Sequence, residues 1–182
     1  MTGFLALEDG TVFTGRSVGA DGIAFGEAVF TTAMSGYQEV VTDPSFAEQL
    51  VCFTAPMVGN YGVAPERSES SEPHACAVLM RRAGGTDWTE WLTAHGIVAL
   101  DELDTRALVL HLRERGAMRA AAVAGHAAVA DIVARVQAQP SSSSSPPPSR
   151  TSTATQERSG SRSSTTAASV RSCGGWRAPV HV

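Results

Sequence analysis

Thr32-Ala33-Met34-Ser35-Gly36-Tyr37-Gln38-Glu39-Val40-Val41-Thr42-Asp43-Pro44-Ser45-Phe46 is the most informative stretch of this 182-residue chain. It runs without a break from turn-formers through helix-formers into a rigid Asp-Pro-Ser corner, an order no generic amphipathic pattern produces. Pro44 fixes φ, and an Asp or Ser side chain can hydrogen-bond the backbone beside it. On residue chemistry alone, Asp43-Pro44-Ser45 therefore reads as a turn, shaped by Thr42 and Asp43.

Outward from this stretch, the first half of the chain reads as β. Phe4–Leu7 and Thr11–Gly15 flank Asp9-Gly10, a dipeptide that tolerates the positive φ of a tight hairpin. Glu27–Thr31, Gln49–Thr54 and Ala75–Met80 are further strand candidates, rich in Val, Phe and Thr. The second half reads as helical. Trp88, Trp91, Leu92 and His95 recur at helical spacing, with Gly96 to end the helix. Asp104 and Thr105 can cap a helix through Leu108, Leu112 and Arg115 that stops at Gly116. Ala127–Gln139 carries Val129, Ile132, Val133 and Val136 on one helical face. Strands followed by helices on short connections predict an α+β fold, a layered β/β/α domain over Met1–Gln139.

The quoted stretch resembles M-T-G-Y-Q-E-(hydrophobic)₂-T-D-P-S-Y, the most recognisable segment of the small, glutamine-hydrolysing subunit of carbamoyl phosphate synthetase. Other blocks follow in that family's order: Leu7–Gly15, Gly26–Phe30, Val58–Gly62, Glu69–Ala75, His95–Ala99, Asp104–Leu108 and His111–Ala117. The resemblance covers Met1 to the helix before Pro140 and stops there. It implies a ligase making carbamoyl phosphate from glutamine, bicarbonate and ATP, for pyrimidine and arginine biosynthesis. It implies a heterodimer in which this domain docks on a large subunit, and the large subunit uses ATP and metal. No cofactor is expected in this chain. The family's D-P-S serine contributes to the glutamine site, and Ser45 is its match. The family's second domain, a glutamine amidotransferase with a Cys–His–Glu triad, has no visible counterpart, so the chain is read as truncated and inactive on glutamine. The alternative is a standalone interaction module, or an inert product, with no chemistry.

Composition narrows the remaining classes. Beyond Gln139 there are five arginines against one glutamate, so Pro140–Val182 carries +4 and the body −8. An acidic body argues against nucleic acid, whose phosphates need clustered basic side chains. Neither a secretory leader nor a membrane span is apparent, which points to the cytoplasm. Cys52 and Cys76 sit in apolar runs and read as buried free thiols. Cys173, in Ser172-Cys173-Gly174-Gly175-Trp176, lacks the apolar strand that a nucleophile elbow follows. His74, His95 and His111 fall on different elements, without metal-ligand spacing. Gly59-Asn60-Tyr61-Gly62 is a turn, too short for a phosphate loop. Glu8, Glu27 and Glu39 read as solvated carboxylates, with nothing to mark an acid–base pair.

Pro140–Val182 opens on a proline, five serines and three more prolines and continues as Ser, Thr, Arg, Gly and Ala, a composition that predicts a disordered tail. The chain has no lysine and abundant Ala, Gly, Val and Arg, the mark of a G/C-rich coding sequence. Suitable codons for Ser163–Val182, read one base earlier, give Val-Val-Asp-Tyr-Gly-Cys-Lys-Arg-Ser-Ile-Leu-Arg-Arg-Leu. That string resembles the V-x-D-(Y/F)-G-x-K-x-x-I-L-R-x-L opening of the family's amidotransferase domain. The tail is therefore read as the product of a frameshift.

Overall fold

A computed structural model describes residues 2–139 and the pair Val170–Arg171. The strands are β1 (Thr2–Leu7), β2 (Val12–Ser17), β3 (Gly22–Thr31), β4 (Gln49–Phe53), β5 (Ala77–Leu79), β6 (Val98–Asp101) and β7 (Met118–Ala124). The helices are α1 (Tyr37–Thr42), α2 (Thr86–Ala94), α3 (Thr105–Arg115) and α4 (Val129–Ala138), with 3₁₀ turns at Pro44–Phe46 and Pro65–Arg67.

Strand order is β4-β5-β6-β2-β1-β7-β3, and β3 also pairs with β4, so the seven strands close into a ring. One half, β3-β4-β5-β6, is parallel. The other half, β6-β2-β1-β7-β3, is antiparallel. The long β3 belongs to both: Gly22–Ala28 pairs with β7, and Glu27–Thr31 with β4. Closure removes most of the unpaired edges that would otherwise invite another strand, but leaves one side of β3 open before Glu27.

Strand alternation sorts the side chains into three layers. Leu5, Leu7, Leu50, Cys52, Leu79, Val98 and Leu100 meet inside the ring, and Leu103, Leu108 and Leu112 of the α3 region join the same cluster. Val51, Phe53, Val78 and Ala99 point outward from the parallel half, onto Tyr37, Val41, Trp88 and Leu92 of α1 and α2. Phe4, Ala6, Phe25, Ala121 and Val123 point outward from the antiparallel half, onto Ile132 and Val136 of α4. Both faces of most strands are thus covered, which is why they read as continuous apolar runs. Each fully buried Leu or Phe contributes about 1.5–3 kcal/mol.

Two electrostatic locks hold the layers. Arg16 on β2 grips Asp101 at the end of β6 through two bonds, 3.0 and 2.8 Å, where the antiparallel half meets the parallel half. Arg119 on β7 pairs with Glu8 at 2.5 Å and donates to the carbonyls of Gln137 and Gln139. Gln137 in turn donates to the Glu8 carbonyl at 2.8 Å, so the end of α4 is tied to the β1 turn.

The α+β class and its layered strands and helices stand as the sequence indicates, with differences of extent. The strand expected at Glu27–Thr31 begins at Gly22, and that expected at Ala75–Met80 shortens to Ala77–Leu79. The second half is not purely helical, because β6 and β7 complete the ring there. Met118-Arg119-Ala120-Ala121-Ala122-Val123-Ala124 has helix-favouring alanines, yet it lies between β1 and β3. There Ala120, Ala121 and Ala122 are fully buried, and small side chains let three crowded layers approach. Beyond Gln139 the predicted disordered, out-of-frame tail lies outside the described residues, except at Val170–Arg171. Those two form a short strand, β8, parallel to β3 at Ile23 and Ala24, where composition predicts none.

Candidate functional site

The diagnostic stretch leaves β3, turns at Gly36 and forms α1 and the Pro44–Phe46 turn before β4. Glu39, in the first turn of α1, has a carboxylate oxygen, Oε2, that is buried without a hydrogen-bond partner. Two polar side chains of α1 are buried, Gln38 and Thr42, and both are spent on the loop that follows β4. Gln38 Nε2 donates to the Ala64 carbonyl and to Ser68 Oγ, each at 2.8 Å, and its Oε1 accepts from Ala64 N–H at 3.0 Å. Thr42 Oγ1 donates to the Gln38 carbonyl at 2.8 Å and accepts from Glu69 N–H at 2.9 Å. Ser70 Oγ donates to the Thr42 carbonyl at 2.6 Å. Buried polar groups without such partners would each cost about 1–3 kcal/mol, so these bonds fix the loop's path.

Aromatic rings extend the same junction. Tyr37 and Tyr61 stack with centroids 4.2 Å apart, and Tyr37 lies 4.7 Å from the buried Trp88. The Tyr37 hydroxyl donates to the Gly62 carbonyl, while Gly36 N–H donates to the Tyr61 hydroxyl, both at 2.5 Å. Burial, first among several influences, raises the Tyr37 pKa above the ordinary phenol value. Trp91 stacks on Trp88 at 5.3 Å and carries His95 at 4.3 Å. The His95 Nδ1–H donates to the Trp91 carbonyl at 2.8 Å, which leaves Nε2 as the free ring nitrogen.

Between α1, the 63–73 loop and the end of α2 lies a cavity of about 690 Å³, lined by Gln38, Thr42, Ser68, Ser70, Trp91 and His95 among others. That is large enough for a small polar molecule. Its Gln38, Thr42 and Ser70 groups already serve internal bonds, so it offers recognition more than acid–base chemistry.

Ser45 is exposed and is not among the residues lining that cavity. It sits in the 3₁₀ turn that Asp43 caps, with Ser45 N–H donating to Asp43 Oδ1 at 2.8 Å. The Ser45 backbone N–H and then its hydroxyl hold the Asp43 carboxylate below its usual range. The corner is therefore built as the turn that residue chemistry predicts, with its serine at the surface.

The other candidate residues scatter. His74 lies near Asp43, His95 packs on Trp91, and His111 Nε2 meets Asp9 at 2.8 Å. Among the described residues, no group of three His, Cys, Asp or Glu side chains could hold a metal ion. Glu8 is in the Arg119 ion pair, not free at the surface. Cys52 and Cys76 are buried and outside any disulfide, and burial pushes the Cys52 pKa up to about 12. Gly59-Asn60-Tyr61-Gly62 is a turn, as its length indicates. Sequence reasoning did not single out Gln38, and it gave Thr42 a part in the corner rather than in this buried network. Their signal was polarity on a helix turned toward an apolar core.

A family model described as the carbamoyl-phosphate synthase small chain, CPSase domain, matches residues 5–122. The carbamoyl phosphate synthase small chain of Nitratidesulfovibrio vulgaris is 44% identical over 149 residues, covering 78% of this chain and 40% of that protein. Its counterpart in Xanthomonas axonopodis pv. citri is 46% identical over 129 residues, covering 66% and 33% respectively. That of Parasynechococcus marenigrum is 43% identical over 145 residues, covering 75% and 38%. The chain thus spans 33–40% of the length of these relatives. Among the described residues, no helix is long and apolar enough to cross a membrane.

Proposed function

The chain belongs to the carbamoyl-phosphate synthase small chain family, and from that premise we propose that it is the domain by which a small chain docks on its large chain. The observation that carries this reading is the match over residues 5–122, set within relatives of which the chain covers two fifths or less. The assembled enzyme would make carbamoyl phosphate from glutamine, bicarbonate and ATP in the cytoplasm, feeding pyrimidine and arginine synthesis, with ATP and metal on the large chain.

The chain by itself does not hydrolyse glutamine. Amide hydrolysis by a thiol needs a thiolate activated by an adjacent base. Cys52 is buried and its pKa is raised to about 12, Cys76 is buried beside it in the same core cluster, and Cys173 lacks an elbow in sequence. Ser45 would face glutamine only with the amidotransferase domain beside it. Resequencing the locus tests the out-of-frame reading of Ser163–Val182: a frame that encodes no amidotransferase strand in any register removes it.

Addition of the chain to a purified large chain tests the docking reading. Ammonia-dependent synthesis should persist, glutamine-dependent synthesis should stay absent, and an intact small chain should be displaced. Ser45→Ala should alter none of these. Failure to co-purify at micromolar concentration, about −8 kcal/mol of binding, would favour a module without a catalytic partner.

A further inference from the structure

Residues 2–139 contain nine arginines, and five of them have partners. Arg16 meets Asp101, Arg115 meets Asp9, Arg119 meets Glu8, Arg67 lies over the Tyr61 ring, and Arg135 over the Phe25 ring. The remaining four are Arg81, Arg82, Arg106 and Arg113, all exposed, and all four line one continuous groove. Two hollows of about 590 and 630 Å³ make up that groove, sharing Pro56, Arg81 and Asp104.

The groove's acids are already engaged. Asp104 Oδ1 accepts from Ala107 N–H at 3.0 Å as the cap of α3, and Glu102 lies 3.6 Å from Arg16. Apolar side chains punctuate the arginines, with Met57 41% and Leu110 46% exposed. α3 carries two stripes at helical spacing: Leu108 and Leu112 enter the ring, whereas Arg106, Val109, Leu110 and Arg113 line the groove. Charge and apolar surface thus alternate on a face that the domain's own core uses only in part, through Val109. Four free guanidinium groups on a body of net charge −8 mark a face to which an acidic partner would be drawn. Arginine and methionine are the side chains enriched at protein interfaces, and guanidinium groups pair with carboxylates bidentately.

We propose that this groove, between the β5–α2 turn and α3, receives an acidic segment of the large chain, with its carboxylates on the four arginines and an apolar residue against Met57 and Leu110. The proposal rests on the docking reading above and specifies its surface. Binding of the full 182-residue chain to purified large chain is measured for wild type, Arg81→Glu/Arg82→Glu, Arg106→Glu/Arg113→Glu and a control, Ala134→Glu, at an exposed position of α4. Each paired reversal should raise Kd by about tenfold or more, wild-type binding should weaken with added salt, and the control should stay within about twofold. Melting temperatures of the variants should stay within a few degrees of wild type, since the four side chains have no hydrogen-bond or ion-pair partner to lose and only Arg113 gives up a favourable place in the last turn of α3. If a reversal fails to fold, the Arg→Gln pair replaces it, with a smaller loss expected in the same direction. Wild-type binding with all reversals within twofold overturns the groove while leaving docking intact. No wild-type binding overturns docking and the groove with it.

Discussion

The Gly59→Ala substitution tests the junction between the diagnostic stretch and the tryptophan helix. Gly59 has φ +95°, and a methyl group built there would lie 2.6 Å from both Cβ and Cδ1 of Trp88. Trp88 is fully buried and braced by Tyr37 at 4.7 Å and by Trp91 at 5.3 Å, so it has no room to yield. Two costs follow. A non-glycine residue at positive φ costs about 1–2 kcal/mol, and forcing a methyl into a packed core costs about 1–3 kcal/mol. Gly10→Ala separates them, because Gly10 has φ +88° but nothing within 4 Å of its added methyl. The gain from a less flexible unfolded chain is common to both substitutions and cancels. Urea unfolding followed by near-ultraviolet circular dichroism should therefore place Gly59→Ala below Gly10→Ala by about 1–3 kcal/mol, or roughly 2–10 °C in Tm. Near-ultraviolet bands of the tryptophan stack should also shift in the first variant only. Equal losses in the two variants, within about 0.5 kcal/mol, would show that Trp88 is not held against the turn and refute the reasoning.

Two further outcomes follow from the buried and charged groups. In native Cys173→Ser protein at neutral pH, a thiol reagent should label neither Cys52 nor Cys76, because burial keeps the Cys52 thiol protonated up to about pH 12 and excludes the reagent from both; rapid labelling before unfolding would contradict their placement in the ring. Burial tends to raise the Asp9 pKa, but the Thr11 N–H and hydroxyl and then His111 outweigh it and leave the folded value below 3.8. Its stabilising effect is then complete above about pH 3.8 and is lost as pH falls through the lower folded value, so the deficit of Asp9→Asn relative to wild type should shrink on acidification below that point. A deficit independent of pH would show that the carboxylate charge is not what ties the β1–β2 turn to α3.

The sequence shows those parts of the molecule whose signal is local. Asp9-Gly10 marks a hairpin, Asp104 caps α3 through Ala107 N–H at 3.0 Å, and the spacing of Ile132 and Val136 marks the buried face of α4. Ring closure was not legible, because it depends on β7, seven residues that pair with strands about a hundred positions earlier. Local propensity opposes that pairing, and only burial between β1 and β3 overrides it. The site divides along the same line. Asp43-Pro44-Ser45 declared its turn in three residues, whereas Gln38 and Thr42 gain their meaning from Ala64, Ser68 and Glu69, more than twenty positions away.

The basic groove is the strongest case of this limit. Arg81 and Arg82 follow β5, while Arg106 and Arg113 sit about two turns apart on α3, and no short window of sequence holds all four. Counting charge shows only an acidic body and conceals where that body changes sign. Such a reversal depends on which arginines the fold pairs internally. Five are paired with carboxylates or aromatic rings, and the four left over converge because β5 and β6 are parallel neighbours, which brings the residues after each strand to the same end of the ring. A docking face is therefore a property of the closed ring and its pairings, and charge-reversal binding can resolve it where composition cannot.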